Sequence, residues 1–295
     1  MTQLLDSART FIVGNARLLE RRRYEYLFAD GGHQPVLAAL LGYQNPDGGF
    51  GNALEPDKRT GTSQPIDQEL ALRFLDEIDG EREVALRICD FLQTITTAEG
   101  GVPFVLPTVR DAPRAEWWNT ESDEPPATIN PTASIAGLLY KLGVEHPWLD
   151  RATAFCWRQI EDGELGGHDF FCVLHFLEHV PDRQRAEQAF ERVSRQLLDS
   201  GLVALDPAAE GYVFMPLDFA PAPSNLARRL FDDATIEKHL DALESRQQPD
   251  GGWPIAWPPV SPGCELEYRG IVTVNALKTL QAYGRLKAKN LEPRT

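Results

Sequence analysis

Apolar side chains recur along this chain three and four residues apart, the spacing that places them on one face of a helix. Alternating runs typical of strands are scarce, although 102–105, 203 and 212–214 could form short extended segments. The pattern therefore predicts an all-α protein. The predicted helices cover 3–28, 34–43, 64–78, 82–96, 131–142, 148–161, 168–179, 183–199, 235–247 and 270–286.

Two nearly identical phrases interrupt this helical pattern. Gln44–Phe50 reads QNPDGGF and Gln247–Trp253 reads QQPDGGW, and each lies between two predicted helices. Proline cannot continue a helix, aspartate favours a turn, and glycine accepts the positive φ at which the chain reverses. The phrases therefore predict a repeated helix–turn–helix unit, and their residues are explained by turn geometry before any chemistry.

Weaker copies of the phrase fill the interval between the two. They occur at 91–101, 157–168 and, more loosely, 196–212. The intervals suit one antiparallel helix pair each, so about five or six hairpins fit the chain. Helix pairs repeated in this way stack into a solenoid or close into a ring.

The combination resembles the QW-type repeat of squalene/hopene cyclases and protein prenyltransferase β subunits. After the second phrase, Glu267-Tyr268-Arg269-Gly270 and Thr273 are similar to the Trp-Gly-x-x-Thr element of such repeats. The resemblance implies one α/α-toroid domain over 1–295, with inner helices around an apolar cavity. In such proteins the cavity holds an isoprenoid chain, and aromatic faces stabilise carbocations.

The catalytic signatures of both groups are missing from this sequence. Cyclases protonate an alkene with an Asp-x-Asp-Asp motif, and prenyltransferases hold zinc with an Asp-x-Cys pair. This sequence contains neither motif. The resemblance thus concerns the scaffold more than the reaction.

The loop after the first phrase carries the strongest candidate chemistry. Glu55 and Asp57 could form an acid pair, with Arg59 keeping one carboxylate ionised while the other carries a proton. The alternative is a connecting loop whose acids cap turns and whose arginine makes a surface ion pair. On the first interpretation these three residues are catalytic.

Further candidates for substrate binding lie beside the predicted turns and on two long Pro-rich segments, 103–131 and 206–226. Loops of this length in a compact protein are usually functional or disordered, and their aromatic content indicates order. The substrate-binding candidates are Asn52, Trp117, Trp118, Asn119, His168, Asp218, Glu267, Tyr268 and Arg269.

The helix over 168–179 suggests a metal site, because His168, Cys172, His175 and His179 share one stripe. At 1.5 Å per residue the stripe extends about 16 Å, so one ion cannot reach all four. Asp232-Asp233 precedes a helix and is explained as a cap. We therefore expect no metal and no cofactor, with Mg²⁺ or Zn²⁺ as the alternative.

Composition excludes several partners. The net charge of −15 makes binding to nucleic acid or an anionic membrane surface improbable. No apolar run is long enough to span a bilayer, and the start lacks the features of a secretory signal. Four scattered cysteines without a CxxC pair indicate free thiols, so we expect a bacterial-type cytoplasmic protein.

We therefore predict a terpenoid cyclase-like or prenyltransferase-like enzyme that binds an isoprenoid or similar apolar small molecule and uses acid-assisted carbocation chemistry. A carbohydrate-active six-hairpin enzyme is the first alternative, since Trp platforms and paired carboxylates also suit sugars. A non-catalytic toroid that binds a ligand or a partner is the second. A closed apolar pocket would favour the isoprenoid, and an open groove with exposed Trp and acids would favour the sugar. The sequence does not define the oligomeric state.

Overall fold

A computed structural model describes residues 2–286, so residue 1 and residues 287–295 of the predicted domain lie outside the described part. Helices, with three short 3-10 helices included, make up 59% of the described residues, which form no strand. This confirms the all-α prediction. The α-helices are α1 Thr2–Asn15, α2 Leu18–Phe28, α3 His33–Leu41, α4 Pro65–Glu77, α5 Arg82–Thr94, α6 Ile129–Lys141, α7 Pro147–Asp162, α8 Asp169–His179, α9 Arg183–Asp199, α10 Pro216–Phe219, α11 Asp233–Ser245 and α12 Pro262–Ala282.

Most predicted helices agree with the structure to within a few residues, but two boundaries are wrong. The helix predicted over 3–28 is interrupted at Arg17, whose backbone is extended, so that α1 and α2 are separate. The last helix begins at Pro262, eight residues before the predicted start, because the Ser261 side chain accepts a hydrogen bond from the Cys264 N–H and caps it. The predicted extended segments form isolated bridges, Pro103 with Ala127 and Val203 with Phe214.

The described residues form two compact units. One contains 2–39 together with 203–286, and the other contains 40–202. No helix in the described range is long and apolar enough to cross a membrane. The four cysteines are buried, and each is a free thiol.

In the unit 40–202, α4 pairs with α5, α6 with α7 and α8 with α9, and the first helices of these hairpins lie side by side. Helix α6 packs against α4 on one side and α8 on the other, while α5 packs against α7. Helices α4, α6 and α8 therefore form one layer, and α5 and α7 form another. Leu72, Leu139 and Phe176 are among the fully buried residues of the first layer.

In the unit 2–39 with 203–286, helix α12 is the centre of the packing. It contacts α1, α2 and α11, and α1 also contacts α2. Gly270 permits the approach to the connection between α1 and α2, since a Cβ there would lie 2.8 Å from the Ala16 Cβ. After α12, Arg285 contacts α11 by pairing with Glu237, Asp241 and Glu244.

The two sequence phrases adopt the same turn. Gln44 donates from its side chain to the Gly48 carbonyl, and Gln247 donates to the Gly251 carbonyl, at 2.9 Å in both cases. The following Phe50 and Trp253 are buried. A side chain of the next helix accepts from the backbone N–H of each: Gln68 for Phe50 and Thr273 for Trp253, again at 2.9 Å.

The weaker copy at 91–101 belongs to the same series. Val102 donates its N–H to the Thr132 hydroxyl at 3.0 Å, as Phe50 does to Gln68. In all three copies the second glycine lies on the aromatic ring of a neighbouring helix. A Cβ would stand 2.7 Å from Phe91 at Gly49, 2.7 Å from Phe155 at Gly101 and 2.9 Å from Phe11 at Gly252. At the last turn, α1 therefore packs its aromatic ring against the second glycine, as α5 and α7 do at the first two turns.

Candidate functional site

The loop that follows the first turn is the most polar buried segment of the described structure. Asn52 and Ala53 both have positive φ, at 56° and 61°, an unusual conformation for residues with a Cβ. The Asn52 amide stabilises this bend by donating to the Tyr43 carbonyl at 3.3 Å and to the Asn45 side chain at 3.1 Å. The predicted substrate-binding role of Asn52 stays a prediction, and its described contacts are those of a turn.

A buried ion pair holds the loop to the start of α4. The Lys58 Nζ donates to the Asp67 Oδ2 at 2.5 Å, and neither side chain reaches solvent. The other oxygen of Asp67 accepts from the Glu55 N–H at 2.9 Å. Asp67 lies in the first turn of α4, where the helix dipole favours a negative charge.

The predicted acid pair lies inside this network. Asp57 is 0% exposed and Glu55 is 6% exposed, and a Glu55 oxygen accepts from the Asp57 N–H at 3.2 Å. Arg59 points outward and donates to the Pro56 carbonyl at 3.3 Å. Their catalytic role stays a prediction. In the described conformation both acids are buried, with little or no contact with solvent.

The same loop supports the long segment 103–131. Arg59 donates its N–H to the Pro113 carbonyl at 3.0 Å, and Ala115 donates to the Asp57 carbonyl at 2.9 Å. The Gln64 side chain accepts from the Leu106 N–H and donates to the Thr108 hydroxyl, both at 2.8 Å. The structure thus joins two regions that the sequence marked separately.

An open cleft of about 550 Å³ lies on this segment. Its lining residues are Pro113, Arg114, Ala115, Glu116 and Asn119. Arg114 donates to the Asn119 side chain at 3.0 Å, and Asn119 donates to Glu121 at 2.6 Å, so that these polar groups are fixed. The Glu116 carboxylate accepts no hydrogen bond from the described residues.

The two adjacent tryptophans differ in environment. Trp117, which follows the cleft residue Glu116 in sequence, is 46% exposed, whereas Trp118 is buried and stacks on Phe104 with ring centroids 4.9 Å apart. The Trp118 indole N–H has no hydrogen-bond partner among the described residues. Trp118 therefore anchors the segment, while Trp117 presents a face to solvent.

The remaining predicted binding residues do not gather at this cleft. His168 is exposed just before α8, in the same unit, with its ring 5.6 Å from that of Phe171. Asp218 accepts from the Met215 N–H at 2.7 Å and caps α10. In α12, Tyr268 packs edge-on against Trp257, and Glu267 is half-buried beside it.

Arg269 has a clear structural role at the second turn. It donates to the Asp250 carboxylate at 2.7 Å and to the Trp253 carbonyl at 3.2 Å, and its guanidinium stacks on the Phe11 ring. The hydrogen bond from Arg269 lowers the pKa of Asp250 below its ordinary value. A role of Arg269 in substrate binding stays a prediction.

Two histidines of α8, His175 and His179, pack with their rings edge to face. The rings of His175 and His179 are 4.9 Å apart, and residues 2–286 contain no group of three or more His, Cys, Asp or Glu side chains arranged to hold a metal. Burial raises the pKa of the Cys172 thiol well above its ordinary value.

Sequence reasoning missed Lys58, Asp67, Arg114 and Glu116. Lys58 stands between the candidates Asp57 and Arg59, and a lysine there gives no signal of burial. Asp67 is typical of a first helical turn, so its sequence position gives no sign of the ion pair with Lys58. Glu116 directly precedes the tryptophan pair, a position that could have marked it.

Comparison with known proteins identifies no relatives: no protein-family model matches the chain, and no curated protein gives a significant match to its sequence.

Proposed function

We propose that the chain is an α/α-toroid protein that binds a carbohydrate in the cleft lined by residues 113–116 and 119. One observation carries the proposal: Trp117 is about half exposed on an anchored segment, and in sequence it lies between Glu116 and Asn119, which line an open cleft with fixed polar side chains. A flat, apolar indole face can stack on the apolar face of a sugar ring. The polar N–H at the edge of the indole can stay in contact with water at the same time.

The polar groups of the cleft suit hydroxyl-rich ligands. Asn119 and Arg114 are held by each other, so they bind without a large loss of side-chain freedom. The Glu116 carboxylate is available as a hydrogen-bond acceptor. An isoprenoid chain needs an enclosed apolar wall, whereas this cleft is open and its lining includes an arginine, a glutamate and an asparagine.

The toroid is supported by the repeated hairpins. In the unit 40–202, three successive hairpins place α4, α6 and α8 in one layer. In the unit 2–39 with 203–286, α1 meets the last glycine turn as α5 and α7 meet the earlier ones. This is the arrangement expected when the N-terminal helix follows the last hairpin of a ring.

The binding test uses a panel of neutral and acidic oligosaccharides with isothermal titration calorimetry. We expect at least one to bind, and Trp117→Ala to weaken its binding at least tenfold. Tyr212→Ala removes another exposed aromatic side chain and should leave the affinity unchanged. Failure of the whole panel to bind, or equal binding by Trp117→Ala, would overturn the proposal.

The reaction is tested with the same ligands. Glycosidases need two carboxyl groups, and Glu116 is the cleft residue with an available carboxylate. Product analysis by mass spectrometry with wild type and Glu116→Gln separates an enzyme from a binding protein. Parallel incubations with prenyl diphosphates and squalene-like substrates test the isoprenoid prediction, and a product from them would favour that function instead.

A further inference from the structure

A second polar feature lies away from the cleft, on neighbouring faces of α4, α6 and α8. Its basic members are Arg73 on α4, Lys141 on α6, and His175 and His179 on α8. We call these four residues the basic strip. Its length is about two helical turns, or roughly 10 Å, since Arg73 lies one turn before Asp76 and His175 one turn before His179.

Arg73 is fixed by two buried partners. Its Nε and Nη2 donate to the same Glu69 oxygen at 3.0 and 2.6 Å, and Nη2 also donates to the Ser134 hydroxyl at 3.1 Å. Ser134 in turn donates to Glu69 at 2.7 Å. The Arg73 side chain is nevertheless 42% exposed, and its Nη1 makes no hydrogen bond to the described residues. One edge of the guanidinium is thus clamped and the other faces outward.

Lys141 lies at the far end of the strip. Its ammonium donates to Asp76 at 2.7 Å and is as exposed as Arg73. An ammonium has three donors, so the contact with Asp76 leaves N–H groups available. Both carboxylates near the strip are therefore already engaged, Glu69 by Arg73 and Ser134, and Asp76 by Lys141.

Gly137 brings the histidines close to α6. A Cβ at this position would stand 2.8 Å from the Nδ1 and 2.8 Å from the carbonyl oxygen of His175. The His175 Nδ1 is buried against α6, and the His175 ring interacts with the Ser134 backbone of that helix.

We propose that the basic strip binds an oxyanion, a carboxylate or phosphate group of a small molecule, between Arg73 and Lys141 and against the two imidazoles. A pre-fixed guanidinium is suited to oxyanions, because little side-chain freedom is lost on binding. This role explains why Arg73 is clamped by Glu69 and Ser134, and why residue 137 is a glycine. The inference is independent of the carbohydrate cleft.

The histidines provide a readout of binding. Burial and then the Lys141 charge lower the pKa of His179 to about 4, with Arg183 adding to the effect and Asp76 opposing it. Burial, Arg73, His179 and Lys141 lower the pKa of His175 well below its ordinary value. An anion bound among these cations would offset their charge, so the pKa of His179 should rise.

The experiment measures His179 by NMR across pH 3.5–7 in full-length protein, with chloride held constant and with acetate, succinate or inorganic phosphate added. We expect a rise of the His179 midpoint and saturable shifts with at least one anion. Acetate and succinate report carboxylate binding, and phosphate reports phosphate binding. Arg73→Gln and Lys141→Gln should weaken binding at least tenfold, and Arg195→Gln, an exposed arginine on α9, should not.

Two results would overturn the proposal. One is wild-type protein whose histidine signals do not respond to any of the three anions. The other is anion binding of equal strength in wild type, Arg73→Gln and Lys141→Gln. If Arg73→Gln does not fold, Arg73→Lys keeps the charge next to Glu69 but removes Nη1, and it should also bind at least tenfold more weakly.

Discussion

Lys58 and Asp67 show how one pair of residues connects the fold to the candidate site. Both charges are fully buried, and desolvation of two such groups is costly unless each keeps its partner. The pair fixes the loop that supports residues 113–115, and these residues line the cleft. Buried charge here therefore has a positioning role for Trp117 and its neighbours.

Removing one partner of this pair should be far more damaging than removing a surface pair. We expect Lys58→Met to lower the free energy of unfolding by about 3–5 kcal/mol, because Asp67 is then a buried, uncompensated charge. Lys238→Met breaks the exposed pair with Asp206 and should cost about 1 kcal/mol or less. Urea unfolding of both variants checks this, and equal losses would show that the buried pair has no special weight.

Protonation of His179 should make the stability of the fold depend on pH between about 6.5 and 4. Its pKa is about 4 in the folded protein, chiefly because of burial, against about 6.5 when unfolded. The unfolded state therefore binds the proton first as pH falls, and stability decreases between pH 6.5 and 4, by roughly 1–2 kcal/mol after allowance for solvent. Urea midpoints of His179→Gln should fall less steeply than wild type over this range. If the urea midpoints of wild type and His179→Gln fall equally steeply with pH, His179 is not the cause of this pH dependence.

At the scale of elements, the glycine turns depend on contact with a neighbouring helix. A Cβ at Gly252 would meet the Phe11 ring of α1 at 2.9 Å, while Gly14 within α1 has open space around it. The same substitution is therefore expected to have opposite signs at these two glycines.

Gly252→Ala should destabilise the protein by about 1–3 kcal/mol, since Phe11 must move. Gly14→Ala should stabilise it by roughly 0.5–1 kcal/mol, because alanine is the better helix former. Melting temperatures of the two single variants test both signs. A neutral Gly252→Ala would mean that α1 does not pack tightly on the last turn.

Much of this element structure could be predicted, because turn residues and apolar spacing act locally. The exceptions have physical causes. The first turns of α12 contain Glu265, Glu267 and Arg269, so their apolar periodicity is weak although Ser261 caps the helix. The break at Arg17 has no proline to mark it, and Gly14 lies within the last turn of α1. The pairing of 57–59 with 113–115 is long-range, and no local pattern encodes such contacts.

At the scale of the whole molecule, acidic residues clearly outnumber basic ones. The chain has 44 acidic and 29 basic residues, so its net charge at neutral pH is −15. Self-repulsion of this kind destabilises a compact state. Local ion pairs act in the opposite direction, as with Arg285 and its three acidic partners on α11.

The response of stability to salt decides which effect is larger. Raising NaCl from 0.01 to 0.1 M shortens the Debye length from about 30 to about 10 Å, which screens repulsion between distant carboxylates more than contacts below 3 Å. At pH 7 we therefore expect the melting temperature to rise by about 2–4 °C, equivalent to roughly 1 kcal/mol. The same salt step near pH 4.9, where the net charge vanishes, should produce little change. A fall in melting temperature at pH 7 would instead mean that the surface ion pairs outweigh the excess of 15 negative charges.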